Sequence, residues 1–143
     1  MYNFSDILSD LIEEKGLSLR KVAIESKVSA IQYSKYLRGN YPTVDVAVRI
    51  ADYFNCSLDY LFGVSDQKHI VTYKGYDLSV FLPRYQNTLM ENKITHWKFA
   101  KNYGLSESTL RHWKYGETPS IPSLILIATN LSVSIDYLIG RKN

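Results

Sequence analysis

The chain has 143 residues, 45% of them hydrophobic and 22% charged, which suits one ordinary globular domain or two small ones and excludes a disordered or collagen-like polymer. Its formal net charge of +3 is too mild to select a partner by itself. A lone cysteine, Cys56, excludes an intrachain disulfide framework and a cysteine-based zinc site. No apolar run reaches the ~18 residues of a membrane span. The start, MYNFSDILSDLIEEK, mixes acidic with apolar residues and does not read as a secretory signal, so a reducing cytoplasm is the expected compartment.

Taken in chain order, the first sixty residues read as five short helices. Phe4, Ile7, Leu8, Leu11 and Ile12 recur at three- and four-residue spacing and predict one apolar helix face. Gly16 ends that helix, and Ser18 caps a second one carried by Leu19, Val22, Ala23 and Ile24. After a turn at Ser26-Lys27-Val28, Ser29 caps a third helix running to about Leu37. Gly39-Asn40-Tyr41-Pro42 has loop chemistry. Thr43 then caps a fourth helix with Val46, Ala47, Ile50, Ala51 and Phe54 inward, closed by Asn55, and Leu58, Leu61 and Phe62 supply a fifth.

A shift of 77 residues aligns 4–63 with 81–140 without a gap, and fourteen of the sixty columns are identical. Ordinary composition gives roughly 3–4 by chance. The matches include Lys21/Lys98, Ala23/Ala100, Ser29/Ser106, Gly39/Gly116, Pro42/Pro119 and the closing strings LDYLFG and IDYLIG. One long period with two copies indicates a duplicated domain and not a solenoid. The expected architecture is all-α, with helical domains at 4–63 and 81–140 and a linker at 64–80. In that linker His69 to Tyr73 and the following Lys74-Gly75 suggest a small hairpin. The second copy follows the same plan, with Thr95, Ser106 and Ser120 as caps and Gly104 in the turn.

Charge is uneven between and within the copies. Residues 4–63 carry 7 basic and 8 acidic side chains, and 81–140 carry 6 and 4. Asp6, Asp10, Glu13 and Glu14 crowd one segment, whereas Ser26 to Val44 holds Lys27, Lys35 and Arg38 and no acid. A local basic surface on a near-neutral domain suits a polyanion, because each neutralised phosphate releases counterions.

The string Ser18…Ala23…Ser29…Tyr36-Leu37-Arg38-Gly39…Pro42, repeated as Thr95…Ala100…Gly104…Ser106…Trp113-Lys114-Tyr115-Gly116…Pro119, resembles the helix-turn-helix domain of phage repressors and their bacterial relatives, the XRE type. The resemblance implies two tandem five-helix, lambda-repressor-like domains that bind double-stranded DNA in a transcriptional regulator, most simply a repressor. It implies a third helix in the major groove. Carried onto the first copy, the base-facing positions are Ala30, Ile31, Gln32 and Lys35, with Gln32 suited to adenine, Lys35 to guanine and Ala30 or Ile31 to a thymine methyl. Ser18 and Arg38 fall at phosphate contacts, and Ser29 caps the reading helix. In the second copy the matching residues are Ser106, Glu107, Ser108, Thr109 and His112, with Arg111 and Lys114 beside them and Leu110 and Trp113 inward. Tyr41 and Tyr115 are further candidates for backbone contact. Glu107 must accept from a cytosine amino group or repel phosphate, so the first copy is expected to read bases better. Leu19 and His96 stand where the family often places a phosphate-binding Gln.

A different class of reading keeps the fold and drops the DNA: an adaptor, antirepressor or antitoxin that holds a protein partner. No enzyme signature is present: there is no nucleophile elbow and no phosphate-binding glycine loop, and the three histidines lack metal spacing. No cofactor, metal, membrane contact or small-molecule effector is expected. A tandem pair on one chain implies an asymmetric DNA site unless two chains join as a homodimer.

Overall fold

The computed structural model describes residues 3–68 and 75–141. Among them every regular element is helical. The chain divides into two compact units, Met1–Thr72 and Tyr73–Asn143. Residues His69 to Lys74, on which the hairpin reading depends, lie outside the described residues.

The first unit contains α1 (Phe4–Lys15), α2 (Leu19–Ser26), α3 (Ala30–Leu37), α4 (Val44–Tyr53) and α5 (Leu58–Leu61). Caps set the boundaries: the Asn3, Ser18, Ser29 and Ser57 side chains each accept from an amide three residues on. Thr43 occupies the same position before α4, but its hydroxyl makes no cap bond. The core gathers Leu8, Leu11, Val22, Tyr33, Ala47, Ile50, Leu58 and Leu61, all essentially inaccessible. Val44 and Val48 join Val46 in it, which leaves only Asp45, Arg49 and Asp52 on the outside of α4. Cys56 is buried as a small apolar side chain. Ile24, expected to help build α2, is 70% exposed. Val22, Ala23 and Ser26 fill the inner face of that two-turn helix, and Ile24 lies off that arc.

The second unit begins with a 3-10 turn, Leu78–Val80, followed by α6 (Phe81–Glu91), α7 (His96–Tyr103), α8 (Thr109–Lys114), α9 (Ile121–Leu131) and α10 (Ile135–Leu138). Its core is more aromatic. Tyr85 lies 5.9 Å from Phe81 and 5.3 Å from Trp113, and Phe99 is inaccessible. Leu124, Ile127 and Ile135 complete it. The C-terminal end is closed by a buried ion pair, Arg141 Nη1 to Asp136 Oδ1 at 2.7 Å.

Backbone conformation repeats at the 77-residue shift. The left-handed residues among 3–68 are Gly16, Lys27, Gly39, Asn55 and Gly63, and those at 93, 104, 116, 132 and 140 are Lys93, Gly104, Gly116, Ser132 and Gly140. Glycine and lysine trade places at two of these sites (Gly16 against Lys93, Lys27 against Gly104) while the backbone stays left-handed.

Gly140 shows how tightly one such site is held. The Asp77 amide donates to the Ile139 carbonyl at 2.8 Å, and a Cβ on Gly140 would stand 2.7 Å from the Asp77 carbonyl oxygen. Gly116 is also left-handed, yet a Cβ there meets nothing within 4 Å. Gly116→Ala should therefore cost only the left-handed strain, about 1–2 kcal/mol. Gly140→Ala adds a backbone collision and should cost roughly 3 kcal/mol or more. Urea unfolding followed by tryptophan emission checks this, because both tryptophans, Trp97 and Trp113, belong to the second unit.

Candidate nucleic-acid interface

Ser18 opens α2 by accepting from the Lys21 amide at 3.2 Å, with Arg20 and Lys21 exposed in its first turn. The helix stops because Lys27 turns left-handed (φ 60°), and the Arg49 guanidinium on α4 donates to the Lys27 carbonyl at 3.1 Å, holding the turn from behind. A buried relay then fixes α3 against α2. The Ser26 hydroxyl donates to the Val22 carbonyl at 2.7 Å and so accepts from the Tyr33 hydroxyl at 2.6 Å. Burial pushes the Tyr33 phenol above its ordinary pKa, with the Ser26 bond opposing it. Tyr33 and Tyr36 both point inward.

The start of α3 is a closed capping box. The Ser29 hydroxyl accepts from the Gln32 amide at 3.1 Å, and Gln32 Oε1 accepts from the Ser29 amide and hydroxyl, each at 3.1 Å. Burial pushes the Tyr36 phenol above its ordinary pKa. Gln32 is half-buried, and its side-chain oxygen is engaged in the capping box. The exposed residues of α3 are Ala30, Ile31, Ser34, Lys35 and, at its C-cap, Arg38. They recur at one- and four-residue spacing and so share one face. Ile31 is 72% exposed. Ser34, which sequence reading overlooked, donates its hydroxyl to the Ala30 carbonyl at 3.1 Å.

The two acids flanking this basic stretch are both engaged. Glu25 accepts from the Tyr53 hydroxyl at 2.7 Å, and Asp45 pairs with Arg49 one turn along α4. Burial first, then Glu25, pushes Tyr53 up to about 12. Tyr41, a candidate for backbone contact, instead stacks on Phe4 at 5.8 Å and 16°, with Phe62 at 6.1 Å, although 45% of it remains exposed.

The corresponding segment of the second unit is built differently. Ser106 does not cap α8: its hydroxyl meets that of Ser108 at 2.9 Å and accepts from the Ser108 amide at 3.3 Å, and the helix begins only at Thr109. Gln32 closes a capping box after Ser29, whereas Thr109, three residues after Ser106, has no side-chain carbonyl to close one; Ser18 and Thr95 cap their helices without a box. Glu107 is exposed on the turn that replaces the first turn of helix, Ser108 and Thr109 are half-buried, and Leu110 is half-buried where a core position was expected. Arg111, His112 and Lys114 are exposed, with His112 Nδ1 2.8 Å from Glu117 Oε2. Trp113 is buried.

His96 is drawn inward as well. Its Nδ1 lies 2.7 Å from the Tyr85 hydroxyl and its ring 6.0 Å from Trp113. Its Nε2 is buried without a hydrogen-bond partner among the described residues. That placement suits a core ring and not a phosphate contact. Burial first, then Lys114, holds its pKa below 6.5. Among the described residues, no group of three or more His, Cys, Asp or Glu side chains is placed to hold a metal, and no helix is long and apolar enough to cross a membrane.

Two measurements follow from this geometry. Ser29→Ala removes the cap acceptor and should destabilise the first unit by about 1 kcal/mol, with Gln32→Ala costing less, as read by helical circular dichroism on heating. For His96 the folded state disfavours the proton that the unfolded chain takes up near pH ~6.5. Stability of the second unit should thus be full above that pH and fall as pH drops below it. His96→Gln should flatten the dependence of the Trp113-detected midpoint between roughly pH 7.5 and 5.5.

Comparison with known proteins bears on the first unit. Residues 8–61 match the model of a helix-turn-helix family of the XRE type, and that span covers α2, the Lys27 turn and α3. No curated protein and no solved structure matches the chain.

Proposed function

We propose that the chain is a cytoplasmic, sequence-specific regulator of transcription that binds double-stranded DNA, with the first unit inserting α3 into the major groove. The observation that carries this reading is the outer face of α3: Ala30, Ile31, Ser34, Lys35 and Arg38, exposed and acid-free, on the helix-turn-helix that the family match spans. In this arrangement Arg38 and the Ser18 end of α2, with Arg20 and Lys21, take phosphates. Lys35 reads a guanine edge, and Ile31 or Ala30 meets a thymine methyl. Gln32 acts on the reader and not on the bases, by fixing the start of α3 through Ser29.

We infer further that the second unit is a diverged copy of the same domain. The five left-handed positions that recur 77 residues on support this. So do α7 and α10, which repeat the bounds of α2 and α5 at that shift. Its Glu107 turn and shortened α8 suit base reading less well, so its residues Ser106, Glu107, Ser108, Thr109, Arg111, His112 and Lys114 contribute little sequence discrimination. Occupying a promoter would make the protein a repressor.

Selection from a random DNA library, followed by mobility shift, tests the reading. A selected site should lose affinity steeply between roughly 50 and 200 mM salt. Lys35→Ala should cost about 1–3 kcal/mol on that site and relax one position. Arg38→Ala should weaken all sequences alike and lower the salt slope by about 1. The absence of any selected sequence would leave a protein-holding module of the same fold.

A further inference from the structure

Between the start of α6 and the loop after α8, the second unit has an apolar groove of about 360 Å³, the size of a small-ligand site. Phe81, Leu82, Pro83, Trp113 and Pro119 supply its walls. The Phe81 and Trp113 rings meet edge to face, with centroids 4.9 Å apart and planes at 87°. Two charged side chains, Lys114 and Glu117, also line it. Glu117, which would repel an anion, holds its Oε2 2.8 Å from His112 Nδ1. Lys114 is exposed and pairs with no acid among the described residues.

The first unit shows what such a groove takes. At the 77-residue shift Phe81, Trp113, Thr118 and Pro119 correspond to Phe4, Tyr36, Tyr41 and Pro42. Phe4 and Tyr36 stand 6.1 Å apart, and the Tyr41 ring stacks on Phe4 at 5.8 Å and 16°. A ring of the first unit's own chain thus covers the ground that the shorter Thr118 leaves open in the second. We propose that this groove binds a small aromatic carboxylate of the benzoate class. Its ring lies on Phe81 as Tyr41 lies on Phe4, at the separation that aromatic pairs favour. Its carboxylate pairs with the Lys114 ammonium at the rim. The walls call for the ring and Lys114 for the anion. The proposal does not depend on DNA binding, and its readout needs no DNA.

Titration of the full chain with sodium benzoate at constant ionic strength tests it. Emission is followed in a Trp97→Phe background, so that only the groove tryptophan reports. A saturable change with a Kd of roughly 0.1–1 mM is expected, the range that so few ligand atoms allow. Sodium acetate should give no response, and benzyl alcohol should bind about 3–5-fold more weakly than benzoate. Lys114→Met should weaken benzoate by about the same factor and leave benzyl alcohol unchanged. Thr118→Tyr should plug the groove in cis, as Tyr41 does, and weaken both ligands about 10-fold or more with helicity and unfolding midpoint retained. The lack of a saturable Trp113 response to benzoate up to about 10 mM would overturn the proposal. So would a response that Thr118→Tyr leaves unaltered in a folded chain. Equal affinity for benzoate and benzyl alcohol would overturn it too, by removing the part assigned to Lys114.

Discussion

A single buried hydroxyl relay, Tyr33 to Ser26 to the Val22 carbonyl, decides where α3 points. An eight-residue helix has little stability of its own, so its direction must come from tertiary contacts. Burying two tyrosines supplies most of the energy, but apolar burial is non-directional. The relay adds direction, because a buried phenol that lost Ser26 would stand unsatisfied in the core. Arg49 acts on the same element from α4 by binding the Lys27 carbonyl. All of these contacts reach α3 from its inner side or its ends. The outer face thereby stays exposed while the helix itself stays fixed.

The second unit has no such relay, since Tyr103 and Leu110 stand where Ser26 and Tyr33 would be. Its interior is organised by rings: Tyr85, Phe81, Trp113 and His96 form a chain of edge and stacked contacts. This places Trp113 correctly without fixing the start of α8, and that start is the part of the unit that departs from helix. Two ways of holding the same backbone therefore leave different surfaces.

Features decided within three or four residues were legible in the sequence. The Ser18, Ser29, Thr95 and Ser120 caps and the left-handed Gly104 turn depend on one side chain and its nearest amides. What escaped depends on partners elsewhere. Ser106 reads as a cap because Ser29 is one, but its hydroxyl turns to Ser108 and α8 starts only at Thr109. Gln32 also closes the capping box, of which Ser-x-x-Gln is itself a signature. His96 stands where the resemblance often places a phosphate-binding Gln, and Tyr85, eleven residues earlier, draws it inward. Ile24 and Tyr41 show that a side chain's chemistry does not settle its burial: the isoleucine is exposed and the tyrosine stacks.

The left-handed sites carry the comparison one step further. Lys27 and Lys93 each hold a conformation that costs a non-glycine residue about 1 kcal/mol, and each stands where the other unit has glycine. The backbone is left-handed at both pairs of positions although the residues differ. The residues differ in the core, as in Tyr33 against Leu110, and on the outer positions, as in Lys35 against His112 and Tyr41 against Thr118. The exposed face of α3 carries two cations, Lys35 and Arg38, so the proposed reading helix alone would make few phosphate contacts and bind with modest affinity.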